Sequence, residues 1–276
     1  MKFESLKNSI ILKQTKNFDL DQTFDCGQCF RFEKINNVFE GISKNYSVKL
    51  IQSNDEIIFL STNQDDFENY WYNYFDLSTD YALIGEKLSL LHPILKEAYT
   101  NCSGIRILKQ EPWETLCSFI ISQNNNIPRI KKIISSLCCL YGEKTKNGFL
   151  FPKVEKISSL NVSQLEPIRS GFRAKYILDA AQKVASGEID FNQIEKLNYL
   201  EAKNTLMKIH GVGPKVADCI LLYGFHKLEA FPMDVWMKKI MNRFFKDKSP
   251  EFFGEFAGVA QQYLYHYTRS NPQILD

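Results

Sequence analysis

A lysine and an aspartate with complementary chemistry, Lys215 and Asp234, stand 19 positions apart in the second half of the chain. Lys215 comes directly after a Gly-Val-Gly-Pro turn at 211–214, at the start of one predicted helix, and Asp234 begins the next. Exposed backbone N–H groups in such a turn, together with the N-terminus of the following helix, favour a bound phosphate. An amine, a carboxylate and a phosphate-binding turn in this order predict an enzyme that attacks the sugar of a nucleotide.

A lysine amine can attack C1′ of deoxyribose and leave the sugar as a Schiff base. The Schiff base acidifies C2′, so the strand can then break on its 3′ side by β-elimination. Because only a neutral amine attacks, we expect burial or the positive helix end to lower the pKa of Lys215. Asp234 is expected to stabilise the cationic sugar, and it also suits the N-cap position of its helix. The plainer alternative is that Lys215 only contacts a phosphate.

The composition is that of an ordinary globular protein, with 276 residues, 44% hydrophobic and 24% charged. No apolar run reaches the roughly 18 residues of a membrane helix, and the N-terminus lacks the apolar core of a signal peptide. Seven scattered cysteines favour reduced thiols over a disulfide framework. We therefore expect a cytoplasmic location.

Charge is unevenly distributed along the chain. Residues 1–100 carry 10 Lys/Arg against 15 Asp/Glu, a balance of −5, whereas the rest of the chain carries +7. Residues 201–250 alone hold 9 basic and 5 acidic residues. The C-terminal part is therefore the expected face for a polyanion, although a solvated helical surface would give the same counts.

The apolar periodicity divides the chain into two parts. Alternating segments with turn pairs at Asn36-Asn37 and Asn54-Asp55 predict antiparallel strands in the first 60 residues, and residues 64–100 predict short helices. From about residue 110 the period is helical, with helices also predicted near 198–208, 215–225, 235–245 and 251–269. The sequence predicts an α+β fold, with an N-terminal twisted antiparallel sheet domain over 1–108 and an all-helical domain over 109–276.

The two helices joined by the turn at 209–214 resemble the helix-hairpin-helix motif. The segment from Lys215 to Asp234 resembles the helix-hairpin-helix/Gly-Pro-Asp superfamily of DNA glycosylases. Four further motifs narrow the resemblance to the 8-oxoguanine DNA glycosylases: Cys26-Gly-Gln-Cys-Phe-Arg-Phe32, Ser122-Gln-Asn-Asn-Asn-Ile-Pro-Arg129, Gly171-Phe-Arg-Ala-Lys-Tyr176 and Gly258-Val-Ala-Gln-Gln-Tyr-Leu-Tyr265. The motifs occur in the family's order and cover most of the chain.

The resemblance implies a catalytic pair and a pocket for the damaged base. Lys215 would be the nucleophile and Asp234 the catalytic carboxylate. Gly27 would offer its carbonyl to the N7–H that oxidised guanine possesses and guanine lacks. Gln261 would bond the Watson–Crick edge of the flipped base. The base faces would be sandwiched by a thiol and a ring, those of Cys219 and Tyr265.

The resemblance also implies contacts to the rest of the DNA. Three residues would hold the cytosine left behind, and Phe172 would wedge the opened stack; the three are Asn124, Arg129 and Arg173. The hairpin that would bind a phosphate comprises Gly211, Val212 and Gly213. The expected partner is double-stranded DNA containing 8-oxoguanine. We expect the protein to act on this DNA as a monomer and not to bind a membrane, so the expected location becomes DNA-associated.

No cofactor is expected. The chain has no cysteine after Cys219, so the iron–sulfur cluster of some relatives is not predicted. The C-x-x-C spacing of Cys26 and Cys29 lacks the second pair that zinc would need. The family hairpin can bind a lone monovalent or divalent cation through main-chain carbonyls, which here would be those of Met207, Ile209 and Val212.

Several positions depart from the family pattern or allow plainer interpretations. Tyr265 stands where phenylalanine is frequent, Trp236 where some members carry histidine, and His210 where proline is common in the hairpin. Asn124 would serve equally as a helix cap, and Arg129 and Arg173 as surface charges. Ordinary core packing would account for Phe172, Cys219 and Tyr265, and a simple turn for Gly27.

Two rival functions stay open. A monofunctional alkylated-base glycosylase would share the sheet domain, but that class lacks the hairpin lysine. A non-catalytic helix-hairpin-helix DNA-binding module would have no need of Asp234, Gln261 or an aromatic lid.

Overall fold

Six strands form one antiparallel sheet in the computed structural model, which describes residues 1–275. The order across the sheet is β1-β2-β6-β5-β4-β3. The strands are β1 (Lys2–Leu6), β2 (Ser9–Lys13), β3 (Phe32–Ile35), β4 (Val38–Ser43), β5 (Tyr46–Ser53) and β6 (Glu56–Leu60). A separate hairpin contains β7 (Lys144–Thr145) and β8 (Gly148–Phe149).

Two asparagine-containing turns set the register of the sheet. Asn36 and Asn37 have φ of 49° and 63°, which suits a two-residue hairpin, and they bring Ile35 opposite Val38. Asn54, with φ of 53°, lies in the turn between β5 and β6. Both turns predicted from the sequence are confirmed.

Helices fill the chain after the sheet, apart from one that precedes β3. They are α1 (Leu20–Asp25), α2 (Gln64–Asp66), α3 (Tyr72–Tyr74), α4 (Tyr81–Ser89), α5 (Pro93–Cys102), α6 (Pro112–Ser122), α7 (Ile127–Tyr141), α8 (Val154–Ser158), α9 (Val162–Leu165), α10 (Arg173–Ala185), α11 (Phe191–Lys196), α12 (Tyr199–Leu206), α13 (Pro214–Gly224), α14 (Val235–Phe244) and α15 (Ala257–Ser270). A π-helical turn (Phe67–Trp71) joins α2 to α3, and 3-10 turns cover Glu166–Ile168, Pro250–Phe256 and Pro272–Leu275. The α+β fold class is confirmed.

One predicted helix is divided. The sequence predicts a single helix over 251–269, but the structure has a 3-10 segment before α15. Gly254, with φ of 65° and ψ of −148°, interrupts the helical backbone within this 3-10 segment, shortly before α15 begins. A left-handed glycine ends a helix readily because it has no Cβ to clash.

Buried apolar residues form two clusters. The sheet contributes Ile10, Leu50 and Phe59 to one cluster, which is closed by Trp71 and Phe75 from the helical turns after β6. The other cluster contains the apolar faces of α4 to α7, α10 and α12 to α15. Because α4 and α5 pack into the helical cluster, residues 81–107 share their core with the C-terminal part. The division at 108 and 109 stays a prediction.

A buried polar network centred on Asp76 joins the sheet side to the helices. Its carboxylate lies 2.9 Å from Nζ of Lys109 and 3.1 Å from Nε2 of His226, and it accepts a hydrogen bond from the Tyr81 hydroxyl at 3.0 Å. Burial alone would raise the pKa of Asp76, but the hydrogen bonds and charges of His226 and Lys109 lower it to about 2. Since His226 follows α13, the network anchors the end of that helix.

The cysteines and helix lengths fit the composition. Six of the seven cysteines are buried free thiols, and Cys139 on α7 is exposed. Within residues 1–275, no helix combines the length and apolar character required to cross a bilayer.

Candidate active site

The turn between α12 and α13 is built around glycine. Gly211 has φ of 82°, and a Cβ there would lie 2.3 Å from the ring of Tyr176, so only glycine fits. The neighbouring His210 N–H donates to Oδ2 of Asp179 at 2.7 Å, which fixes the turn to α10. Gly213 is the N-cap of α13, and nothing lies within 4 Å of a Cβ built on it. The backbone at this helix end is therefore open to an approaching group.

A buried ion pair holds the two hairpin helices together. Asp218 on α13 lies 2.8 Å from Nζ of Lys203 on α12 and accepts a hydrogen bond from the Tyr199 hydroxyl at 2.7 Å. Burial raises the pKa of Asp218, although both partners oppose the shift. The angle between α12 and α13, and with it the shape of the turn, depends on this contact.

Lys215 lies in the first turn of α13 and is half-buried. The pKa of Lys215 is raised, first by the Cys219 sulfur one turn further along and then by the carboxylate of Asp234 and by Tyr265, while burial acts in the opposite direction. The expected lowering was therefore wrong, because these neighbours favour the ammonium more than burial penalises it. Burial in turn raises the pKa of the Cys219 thiol to about 11.

Asp234 is the N-cap of α14. Its Oδ1 accepts a hydrogen bond from the Met237 N–H at 2.7 Å, which confirms the cap role. The other carboxylate oxygen, Oδ2, has no hydrogen-bond donor within residues 1–275 and is free to face a cationic group. The same carboxylate contributes to raising the pKa of Lys215, so Asp234 combines a structural contact with an electrostatic effect on that amine.

Gly27 lies in the bend after α1, with φ of 77°. The adjoining Gln28 is fully buried and fixes this bend through its side chain. Its Nε2 donates to the Thr23 and Arg106 carbonyls at 2.8 Å, and its Oε1 accepts from the Leu108 N–H at 2.9 Å. The Gly27 backbone is therefore held rigidly by a side chain that the sequence did not single out.

Gln261 and Tyr265 lie one turn apart on α15. Gln261 is buried, and its Oε1 accepts a hydrogen bond from Nε2 of Gln262 at 2.8 Å. Tyr265 is half-buried, and its hydroxyl accepts from Nη1 of Arg269 at 3.3 Å, with that guanidinium 5.4 Å from the ring centroid. Arg269 thus supplies the partner that the hydroxyl of Tyr265 requires.

Trp236 ties α14 to α15. Its indole N–H donates to Oγ1 of Thr268 at 2.7 Å. Thr268 is fully buried and also donates to the Leu264 carbonyl. The N–H of Trp236 is therefore engaged inside the protein, unlike a residue that presents a donor to a phosphate.

The residues predicted to meet the rest of the DNA differ in exposure. Asn124, with φ of 47°, and Arg129 are exposed. The N-cap of α7 is Asn126, whose side chain accepts from the Arg129 N–H at 3.0 Å, so Asn124 is not the helix cap. Phe172 is 53% exposed and so is not a core residue.

Arg173, in contrast, is buried at the start of α10. Its Nε donates to the Gln123 carbonyl at 2.9 Å, Nη1 to Ser170 at 3.1 Å, and Nη2 to Asn124 at 3.0 Å. Burial, followed by the charge of Arg129, lowers the pKa of Arg173. Arg173 therefore shapes the loop that presents Asn124.

Two cavities, of about 1050 and 450 Å³, are lined by none of the predicted site residues. The larger lies between the sheet and α7 beside Arg31 and Lys131, and the smaller lies beside Trp113 and Phe151. In the part of the chain that the structure describes, no cluster of three or more His, Cys, Asp or Glu side chains is arranged for a metal ion.

The sequence analysis did not identify the aromatic residues that pack beside Lys215. The ring of Phe119 on α6 stacks on Tyr223 with centroids 5.3 Å apart, and Nζ of Lys215 lies 5.5 Å from the Phe119 centroid. The Tyr223 hydroxyl accepts from Nε2 of Gln262 at 2.5 Å. Tyr223 lies eight residues after Lys215 on the same helix, so the sequence could have indicated that it lies near the site. No sequence feature indicated that Phe119 would lie there.

The fold and the site agree with comparisons to known proteins. Residues 10–116 match the family model for the N-terminal domain of 8-oxoguanine DNA glycosylase, and residues 117–251 match the model for the HhH-GPD superfamily of base excision DNA repair proteins. An antiparallel sheet followed by helices that contain this hairpin thus defines a base-excision DNA glycosylase. The chain belongs to the 8-oxoguanine DNA glycosylase family.

Individual relatives support this membership. The N-glycosylase/DNA lyase of Saccharomyces cerevisiae is 33% identical over 256 residues, which cover 81% of this chain and 67% of the relative. The Clostridium acetobutylicum 8-oxoguanine glycosylase/lyase, solved with duplex DNA containing cytosine opposite 8-oxoguanine, has 39% identity, a TM-score of 0.92 and 99% coverage of both chains. MBOgg1, solved with a low-affinity DNA ligand, has 40% identity and the same TM-score, covering 99% of this chain and 100% of its own.

Proposed function

We propose that this chain is a bifunctional DNA repair enzyme that excises 8-oxoguanine paired with cytosine and then cleaves the abasic strand by β-elimination. The observation that carries the proposal is the position of Lys215. Its half-buried amine lies in the first turn of α13, beside an open, glycine-lined helix N-terminus, and the carboxylate of Asp234 is near enough to raise its pKa. A plain phosphate contact would need neither the partial burial nor the carboxylate.

The proposed reaction begins at C1′ of the extruded nucleotide. The neutral Lys215 amine bonds C1′ while the bond from C1′ to the base nitrogen breaks, and the base leaves with that electron pair and takes up a proton. Asp234 stabilises the positive charge that develops on the sugar. The lysine nitrogen, after losing a proton, forms a double bond to C1′ as the bond from C1′ to O4′ breaks and O4′ takes up a proton. The protonated imine acidifies C2′; loss of that proton expels the 3′ phosphate oxygen, and water adds to the imine carbon and releases the lysine.

The base pocket is proposed to combine contacts from three elements. Gly27 accepts from N7–H of the oxidised base, Gln261 bonds its Watson–Crick edge, and Cys219 and Tyr265 lie against its faces. The rigid bend around Gln28 supports the first role, because a fixed carbonyl discriminates better than a mobile one. The hydrogen-bonded amide supports the Gln261 role.

The proposed contacts to the rest of the DNA are made mainly by exposed side chains. Phe172 wedges the opened stack, and Asn124 and Arg129 meet the unpaired cytosine, with Arg173 fixing their loop. Their side chains, apart from that of Arg173, are exposed on the surface. The hairpin turn at 211–213 holds a backbone phosphate through the N–H groups of Gly211 and Gly213, since the Val212 N–H donates to the Ile209 carbonyl.

A lone cation at the hairpin, held by main-chain carbonyls at positions 207, 209 and 212, is part of the proposal. The Ile209 carbonyl accepts one hydrogen bond, from the Val212 N–H at 3.0 Å, and keeps a second lone pair for a cation. The proposed reaction uses no iron–sulfur cluster and no organic cofactor. We propose that the chain acts on duplex DNA as a monomer.

Borohydride trapping on a duplex with 8-oxoguanine opposite cytosine tests the proposal. Wild type should give a covalent adduct and a cleaved strand, and Lys215→Gln should give neither while still binding the duplex. Lys96→Gln, an exposed lysine on α5, is the matched control and should trap like wild type. Cleavage without trapping would favour a monofunctional glycosylase, and binding alone would favour a non-catalytic module. An adduct retained in Lys215→Gln would refute the assigned nucleophile.

A further inference from the structure

The hydroxyl of Tyr265 has a single hydrogen-bond partner within residues 1–275, the guanidinium of Arg269 one turn later on α15. Nη1 of Arg269 donates to this hydroxyl at 3.3 Å, and the guanidinium carbon lies 5.4 Å from the ring centroid. A phenylalanine at this position would offer no such acceptor. The ring proposed to lie against the extruded base is therefore linked to an exposed cation.

Most of the hydrogen-bonding capacity of Arg269 is unused. A guanidinium carries five N–H donors, yet in the described part of the chain Arg269 makes only this one side-chain hydrogen bond and forms no ion pair with a carboxylate. One bond to a neutral hydroxyl compensates poorly for the rotamer freedom that so long a side chain loses. The guanidinium therefore needs a second anchor if it is to hold the Tyr265 ring in place.

Arg269 lies at the edge of the proposed base pocket. Burial lowers the pKa of His266, while Asp25 opposes this shift and Arg269 adds to it, so both charges lie near that imidazole. Asp25 is the last residue of α1 and precedes Gly27 by two positions. The unused donors of Arg269 are thus exposed between the Tyr265 ring and the segment that carries Gly27.

A phosphate of the damaged strand is the anchor that fits this chemistry. DNA presents anionic phosphate oxygens on either side of an extruded nucleotide. A guanidinium can bind two such oxygens with parallel N–H groups and still direct another N–H at a neighbouring hydroxyl, which a lysine ammonium does less well. No carboxylate of the described residues occupies the guanidinium in advance.

We propose that Arg269 binds a backbone phosphate of the damaged strand and, through the same guanidinium, holds the Tyr265 ring against the extruded base. The inference rests on the proposed function, because it requires Tyr265 to face that base. Arg269 touches the DNA backbone but not the base, so toward the base it is a positioning residue. Capture of the phosphate and placement of the ring are then one event.

The phosphate contact is tested by the salt dependence of binding to a duplex with 8-oxoguanine opposite cytosine. Lys215→Gln is the background, because it is expected to bind this duplex without cutting it. Adding Arg269→Gln should reduce the slope of log affinity against log salt concentration by about 0.9, the share of one phosphate. Adding Lys96→Gln, which removes an exposed charge from α5, should leave the slope unchanged. An unchanged slope with Arg269→Gln would overturn the contact.

The link to the ring is tested by single-turnover excision with the enzyme in saturating excess, where weaker binding does not affect the rate. Arg269→Gln should slow excision by about fivefold, because the ring loses its charged partner. In the Tyr265→Phe background, which lacks the hydroxyl, the same change should slow excision by less than about twofold, while the salt slope still falls. Thermal unfolding verifies that every variant is folded.

Two kinds of failure can be told apart. Equal slowing by Arg269→Gln in both backgrounds would overturn the positioning role, because the effect would then not pass through the Tyr265 hydroxyl. A wild type that excises no 8-oxoguanine would instead contradict the proposed function.

Discussion

Nζ of Lys215 lies 5.5 Å from the centroid of the Phe119 ring. An ammonium near the face of an aromatic ring is stabilised relative to the neutral amine. The ring thus acts in the same direction as the Cys219 sulfur and the Asp234 carboxylate, which raise the pKa of Lys215. The neighbours of Lys215 thus favour its charged form, which suits attraction to the DNA backbone; the proposed attack on the sugar requires that the amine then lose a proton.

The raised pKa of Lys215 predicts a rising pH–rate profile. Only the neutral amine attacks, and its fraction below the pKa grows about tenfold per pH unit. In single-turnover trapping with enzyme in excess, the rate of imine formation should climb from pH 6 to pH 9 without levelling. A plateau near pH 7 would mean that the pKa is lowered in the reacting complex.

Asp76 predicts a specific loss of stability in acid. Its folded pKa of about 2 lies below the usual value, so its contribution is full above about pH 4 and is lost as the pH falls toward 2. The contribution is about 2 kcal/mol. Asp76→Asn should lower the free energy of unfolding at pH 7, and the difference from wild type should shrink between pH 4 and pH 2. Urea unfolding across this range measures it; a difference that does not change with pH would contradict the assignment.

The two arginines proposed to lie near the opened base pair should behave differently when each is changed to alanine. Arg173→Ala removes several bonds to backbone carbonyls and should lower the free energy of unfolding by about 2–3 kcal/mol. Arg129→Ala, at an exposed position, should change it by less than about 0.5 kcal/mol but reduce the preference for cytosine opposite the lesion. Chemical unfolding and excision against each opposing base separate the two effects. Equal destabilisation by both changes would argue against the division of roles.

The two hairpin glycines provide a matched pair. Gly211→Ala places a methyl group 2.3 Å from the ring of Tyr176 at a positive φ, and should cost about 2–4 kcal/mol of stability. Gly213→Ala meets nothing within 4 Å and should fold normally, yet weaken binding because its methyl group stands where a phosphate would approach. Thermal unfolding and fluorescence anisotropy with an undamaged duplex check both. If Gly213→Ala binds DNA with normal affinity, the proposal that a phosphate binds at this helix end is wrong.

Local patterns were enough for much of the fold. The turns at Asn36-Asn37 and Asn54-Asp55 were predictable because their backbone conformation is set by the residues themselves. The helices after residue 110 were predictable because their apolar faces repeat regularly. The bounds of β1 and β2 were not predicted within that strand region; β1 pairs with β2, and β2 pairs with β6, a partner that only the folded sheet reveals.

The sequence predicts the candidate site residues that lie within recognisable motifs. It does not predict the side chains, distant in the sequence, that support those residues. The spacing predicts Lys215 and Asp234 as the catalytic pair, and that role stays a proposal. The direction of the Lys215 pKa shift was not predictable, because it depends on which groups surround the amine in space. Asp76 and His226 meet across 150 positions of the chain, and nothing near either residue indicates the other. The support of Gln261 likewise depends on an aromatic ring from another helix.

Cys139 offers a site for selective chemical labelling of this chain. With the other six thiols buried, a maleimide dye should attach at this one position in the described part of the chain. The attachment point lies ten residues along α7 from Arg129, about 15 Å along the helix axis. A fluorophore placed there would sense duplex arriving at the start of α7 in real time, with every native residue of the pocket left in place.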